Sequence, residues 1–205
     1  DPANPHPEGK VPYLTDGTDH VRERAAIILY LTDRFPAAGL GRSVGHPQRG
    51  EYLSWLFWYQ GVFEPVAILS WTGLTHPAIT ASLRDYDTAI QRLDEVLRRQ
   101  PYLLGDAFSA ADLLCAGPFA WFGDKMPATP AILDWVGRCQ DRESVRRTGG
   151  EAPPVEDEEP TAAHRVITEA EAAPVPVPPA DLQPPEHAPM PERVEQLMLS
   201  GDIAY

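Results

Sequence analysis

Cysteine is scarce in this chain of 205 residues, which has only 2, Cys115 and Cys139. They show no CxxC spacing and no histidine cluster stands beside them. That excludes a disulfide scaffold and a zinc site, and it fits a reducing cytosol. Both thiols read as small buried apolar residues rather than reactive groups. An apolar run of membrane-spanning length and a secretory leader are also missing, so the expectation is a soluble, cytoplasmic protein with no membrane partner. Basic residues are few. The 17 Lys and Arg stand against 30 Asp and Glu, a net charge of −13, which makes nucleic acid a poor partner. Strict apolar–polar alternation is absent from about residue 47 to 147, so no half-buried sheet is expected there. The chain opens on Asp1 rather than Met, as a fragment or a processed start would.

What is present is unevenly spread. From Gly149 onward the chain holds twelve acidic residues, two arginines and eleven of its 23 prolines, with no Trp or Phe. Such a stretch cannot bury enough apolar surface to offset its chain entropy, and disorder is expected over 149–205. Its proline runs favour extended polyproline II, suited to a spacer or to docking in an aromatic groove of a protein partner. Near its end, Pro191 at a first-turn position with Val194, Leu197 and Met198 at helical spacing suggests a short docking helix.

The N-terminal segment is the most informative. Gly9-Lys10-Val11-Pro12-Tyr13-Leu14 reads as a strand opened by proline, which ends the ladder because it has no N–H. Val11-Pro12 is a candidate cis bond, although trans is far commoner for X-Pro in general. Asp16-Gly17 is a hairpin turn signal. Ala25, Ala26, Ile28, Leu29 and Leu31 then form a short apolar helix that stops near Phe35-Pro36. Glu23 and Arg24 fall in its first turn, where free N–H groups suit a ligand carboxylate. Glu23 there could equally complement the helix dipole.

The middle reads as all-helical. One pattern runs from Gln48 to Leu69 and carries Pro65, which predicts a kink. A second runs from Pro77 to Arg99, with Leu83, Tyr86, Ile90, Leu93 and Leu97 on one stripe. A third begins at Ser109, where Ser109 and Asp112 form a near capping box and Phe108 and Leu113 are placed as its hydrophobic staple. A fourth has Thr129 as cap, Pro130 at N1, and Ile132, Leu133, Trp135 and Val136 as its apolar face. Tyr52, Trp55 and Tyr59 share one stripe of the first pattern. They suit either the wall of an apolar ligand site or the core of a bundle. Because Phe57 and Trp58 point elsewhere, that helix is apolar most of the way round, as at a subunit interface.

Taken together, residues 4–31 with their G-K-V-P-x-L strand and Glu23-Arg24-Ala25-Ala26-Ile27 helix start resemble the second half of the thioredoxin-like domain of cytosolic glutathione transferases. Gln48 to Trp55, Tyr102-Leu103-Leu104-Gly105-Asp106-Ala107-Phe108-Ser109-Ala110-Ala111-Asp112, and Pro130 to Trp135 with Arg138 and Arg142 are similar to the helical-domain segments of the same family. One departure is plain: Arg24 stands where the family has serine, and a long, permanently charged side chain replaces a small hydroxyl.

The resemblance implies an α+β fold. Residues 1–36 would be the C-terminal part of a thioredoxin-like domain (β-hairpin plus helix), 37–46 a linker, 47–148 an all-α C-terminal domain and 149–205 the tail. It implies glutathione as co-substrate, no metal, and a homodimer. Glutathione would be held by the Val11 backbone beside Pro12, by Glu23 and Arg24 at its γ-glutamyl end and by Lys10 at its glycyl end. Tyr52, Trp55 and Tyr59 are candidates to face the apolar electrophile. No catalytic residue is assigned, since the family's thiol-activating Tyr, Ser or Cys lies in a segment preceding these residues. Tyr13 on the strand and Tyr30 inside the helix do not match it. Two functions follow: conjugation of glutathione thiolate to an apolar electrophile, or a non-catalytic module of the same fold whose tail recruits a partner.

Overall fold

The computed structural model describes residues 4–148; the expected tail over 149–205 and its docking helix lie outside the described residues. Strands β1 (Tyr13–Asp16) and β2 (Asp19–Arg22) form an antiparallel hairpin with Tyr13 opposite Arg22 and Asp16 opposite Asp19. The turn is therefore Gly17-Thr18, one position beyond the expected Asp16-Gly17. Gly17 supplies the positive φ of 60° that a two-residue hairpin loop requires. The Val11–Pro12 bond is cis.

Helix α1 (Arg24–Arg34) packs on the hairpin and stops at Phe35, before Pro36, as the proline dictates. The one proton of its Tyr30 hydroxyl is shared between Asp19 at 2.8 Å and Asp16 at 3.0 Å, and these two carboxylates push the phenol up to about 12. Arg34 donates to Asp16 at 2.8 Å. Three contacts among these four side chains thus fasten the turn to the helix.

The bundle begins with α2 (Arg49–Trp58) and α3 (Glu64–Thr72). The kink expected at Pro65 takes a different form: between the two helices Tyr59–Phe63 make one turn of π-helix. Pro65 has no N–H and its ring crowds the carbonyl four residues back, and a widened turn relieves both problems. The expected helix from Pro77 to Arg99 is two helices, α4 (Pro77–Leu83) and α5 (Tyr86–Leu97). The break falls at Arg84, which has φ 76°, and Asp85 starts α5 by accepting from Thr88 N–H at 2.8 Å. An Asx cap competes with helix continuation, and the apolar stripe bridging 83 to 97 hid it.

Helix α6 (Ala110–Phe122) starts at the expected Ser109–Asp112 capping box. Its Ala110 N–H donates to Leu40 of the connecting segment at 2.8 Å. The staple does not show its intended form: Leu113 is 50% exposed, and Phe108 packs edge-on against Tyr102. Helix α7 (Pro130–Gln140) follows its Thr129 cap, which accepts from Ile132 N–H. Ile132 and Trp135 are buried, but Leu133, expected on the same face, is 56% exposed. A short α8 (Glu143–Thr148) closes the described part.

One core spans these helices, centred on Trp55, Tyr59, Phe63, Leu93, Cys115 and Trp135. Both cysteines sit in it. Burial pushes the Cys139 thiol up to about 12 and the Cys115 thiol well above its ordinary value, so neither is a nucleophile.

Buried in this apolar setting is the Asp112 carboxylate, at 0% exposure. One oxygen accepts from Leu103 N–H (2.8 Å) and Trp135 Nε1 (3.0 Å); the other accepts from Ser109 N–H (2.8 Å) and the Ser109 hydroxyl (2.7 Å). It joins the loop before α6, the start of α6 and the middle of α7. Asp112→Ala strands several buried donors at once and is expected to lower stability by about 3–5 kcal/mol. Ser109→Ala should cost about 1 kcal/mol. Urea melts measure both, and a Ser109→Ala curve overlaying the parent would refute the cap.

Candidate functional site

Hairpin, α1 and bundle meet where α1 begins. Glu23, the N-cap, is held at φ 69° and ψ 127°. For a side chain with a Cβ this left-handed φ is strained, and such strain persists only where neighbours enforce it. The π-turn supplies those neighbours. The Gln60 amide donates from Nε2 to the Glu23 carboxylate at 3.1 Å and accepts through Oε1 from Ala25 N–H at 3.4 Å.

Arg24, at the first helical position, does not extend toward solvent. Its guanidinium turns into the bundle, forms an ion pair with Glu64 of α3 and donates to the Tyr59 hydroxyl at 3.3 Å. It lies over the Tyr59 ring, 5.5 Å from the centroid. The side chain standing in place of the family's serine is thus already engaged. What Arg24 retains for a ligand is its backbone N–H at the helix start.

Beyond this ion pair a cavity of about 240 Å³ opens. From α3 it is lined by Ala67, Ile68 and Trp71, and from α6 by Pro118, Trp121 and Phe122, with Met126 beneath. Arg24, Glu64 and Tyr59 are its polar end. Trp71 and Phe122 lie ring to ring at 5.2 Å, and the Lys125 ammonium lies over the Trp71 ring at 4.7 Å. Burial pushes the Tyr59 phenol up to about 12, against the opposing charge of Arg24. Tyr59 therefore presents a neutral hydroxyl and cannot act as a base near neutral pH.

The residues expected from sequence are distributed as follows. Lys10, Val11 and Glu23 are exposed, Val11 at 84%, and among the described residues nothing hydrogen-bonds to the Val11 backbone. Pro12 is half-buried behind them. Of the three aromatic candidates only Tyr59 borders the cavity. Tyr52 and Trp55 are core residues at 0% and 1% exposure, and the Tyr52 hydroxyl bonds Thr32 of α1 at 2.9 Å. Sequence reasoning missed Gln60, Glu64 and the aromatics of α6. The pair Trp121-Phe122 at the end of an apolar helix was the available signal. No group of three or more His, Cys, Asp or Glu among the described residues could hold a metal.

Comparison with known proteins gives this geometry a setting. Residues 77–141 match the family model described as glutathione S-transferase, C-terminal domain. The chain is 28% identical to the disulfide-bond oxidoreductase YfcG of Escherichia coli, over 66% of this chain and 69% of that protein. It is 32% identical to glutathione S-transferase F14 of Arabidopsis thaliana, over 70% of this chain and 64% of that protein. Among solved structures, a sphingomonad glutathione S-transferase complexed with glutathione superposes with a TM-score of 0.59 at 27% identity, covering 72% of this chain and 77% of that one. The chain spans 61% to 69% of the length of the first curated relatives it matches. The hairpin and α1 correspond to part of a thioredoxin-like domain, and α2 to α8 to the helical domain.

The Arg24–Glu64 pair is partly exposed, so solvent screens it. A double-mutant cycle with Arg24→Ala and Glu64→Ala is expected to give a coupling of about 1 kcal/mol in urea denaturation. Strict additivity would show that the pair carries no link between α1 and α3.

Proposed function

We propose that this chain, whose residues 77–141 match the glutathione S-transferase C-terminal domain, presents the γ-glutamyl-holding part of a glutathione site beside an apolar acceptor pocket, and that it serves conjugation of the glutathione thiol to an apolar electrophile in the cytosol. The observation that carries this reading is placement. The cavity of about 240 Å³ starts at Arg24, the residue after Glu23, so a ligand anchored at Glu23 has an apolar chamber within reach.

The roles follow from the groups exposed. The Val11 backbone, turned outward beside Pro12, offers an N–H and a carbonyl to a peptide-like ligand. The Glu23 carboxylate suits the γ-glutamyl ammonium, and the N–H groups at the start of α1 suit its carboxylate. Lys10 is free to meet the glycyl carboxylate. Ile68, Trp71, Trp121 and Phe122 would enclose the acceptor, with the neutral Tyr59 hydroxyl as the hydrogen-bonding group. In the reaction the thiolate sulfur bonds to an electrophilic carbon, the leaving group departs with the electron pair, and the thiol proton goes to solvent. Thiol activation is assigned to no residue of this chain. Dithiol chemistry of the kind named for the E. coli relative finds no support in Cys115 and Cys139, which are buried.

The test compares glutathione with S-hexylglutathione, followed by tryptophan fluorescence and calorimetry on the full chain. The hexyl arm should tighten binding tenfold or more, since burying as few as two methylenes supplies about 1.6 kcal/mol. Phe122→Ala should remove most of that gain and leave glutathione affinity unchanged. Equal affinity for the two ligands would overturn the pocket assignment. Binding of neither by the folded chain would favour a non-catalytic module instead.

A further inference from the structure

We infer that Gln60 is a positioning residue for glutathione: it fixes the Glu23 carboxylate in the orientation that receives the γ-glutamyl ammonium. The inference rests on the glutathione reading above and adds to it a residue of the helical domain.

Four observations carry it. First, Gln60 reaches Glu23 and Ala25 with opposite ends of one amide, at 3.1 Å and 3.4 Å. The chemistry leaves the amide no other orientation, because a carboxylate needs a donor and a backbone N–H needs an acceptor. Second, Glu23 carries the strained φ of 69°, which needs a neighbour to enforce it. Third, Gln60 lies in the π-turn Tyr59–Phe63, a form that recurs where helices serve a site. Fourth, Gln60 and Glu64 are four residues apart and engage the consecutive residues Glu23 and Arg24, so one helix edge reads the start of α1 twice.

A neutral amide is the fitting group for this task. It restrains one oxygen of Glu23 and leaves the full negative charge for an incoming ammonium. A lysine or arginine in its place would hold Glu23 more tightly and cancel that charge. A carboxylate would repel it.

The experiment is calorimetric titration of the full chain with glutathione between pH 5 and 8, on the parent, Gln60→Ala and Gln60→Glu, with thermal melts alongside. Gln60→Ala removes the bonds to both Glu23 and Ala25 N–H and is expected to weaken glutathione about tenfold, roughly the worth of one hydrogen bond to a charged group, while the melt stays cooperative. Gln60→Glu should bind weakly at pH 8, where two carboxylates face each other. It should recover toward the parent as pH falls to about 5, because the pair then shares a proton and the protonated acid donates as the amide does. Gln60→Glu also serves if the alanine variant fails to fold. Parent-like affinity in both variants would overturn the inference, as would an equal loss in both at every pH, which marks a purely structural role. No binding by the folded parent would overturn the glutathione reading itself, a result separate from either.

Discussion

Pro65 cannot donate a backbone hydrogen bond, and the turn that meets α1 is shaped by that constraint. A regular helix through Tyr59 to Phe63 would press the proline ring onto the preceding turn. The π-turn absorbs the clash and lets α2 and α3 run on as one long element. It also adds a residue to one turn, which rotates everything after it relative to everything before. Tyr59 and Phe63 both remain buried, while Gln60 and Glu64 come to the edge that meets α1. From that edge Gln60 meets Glu23 and Glu64 meets Arg24.

Two groups of polar interactions therefore divide the labour. Asp112 gathers four donors in the dry centre and joins α6 to α7. A carboxylate so placed is tolerated only because every lone pair has a partner, and it fixes one arrangement of the helices. The second group ties the hairpin and α1 to the bundle. Arg49 grips Asp33 through two bonds of 2.7 and 2.9 Å, which hold the Asp33 carboxyl below its usual range. Thr32 meets Tyr52, and Arg24 meets Glu64. The linker itself is pressed close: a Cβ on Gly41 would lie 2.5 Å from that of Thr32. A small two-stranded unit buries too little to persist alone, and these ties supply what it lacks.

This division explains what could be read from the sequence. Local signals were legible because each is completed within one turn: the Ser109–Asp112 box, Thr129 with Pro130, the stop before Pro36. The hairpin was legible for the same reason, with its turn one residue off because Gly17, and not Asp16, takes the positive φ. The break at Arg84 was hidden, since the apolar stripe through Leu83, Tyr86 and Ile90 continues across it while only the Asp85 cap reports it. The aromatic stripe of α2 was ambiguous by nature. Periodicity says that Tyr52, Trp55 and Tyr59 share a face, but which face the other helices cover is decided by α6 and α7, far away in sequence. The direction of Arg24 had no local signal whatever, because its partner is forty residues on.

Arg24 also sets the character of the pocket. An unpaired guanidinium beside an apolar chamber would draw an anion into it. Paired with Glu64 and resting on Tyr59, Arg24 does not. The two charges cancel to a dipole at the polar end, and what faces the cavity is the neutral Tyr59 hydroxyl. Lys125 lies over the Trp71 ring and is not among the residues lining the cavity. Paired charge and a neutral hydroxyl at one end, with aromatic walls beyond, leave the cavity no unpaired charge to offer an ionic ligand. On the glutathione reading proposed above, Arg24 serves the bundle rather than the ligand, and the ligand would be met by the backbone of α1, by Glu23 and by the amide that steadies it.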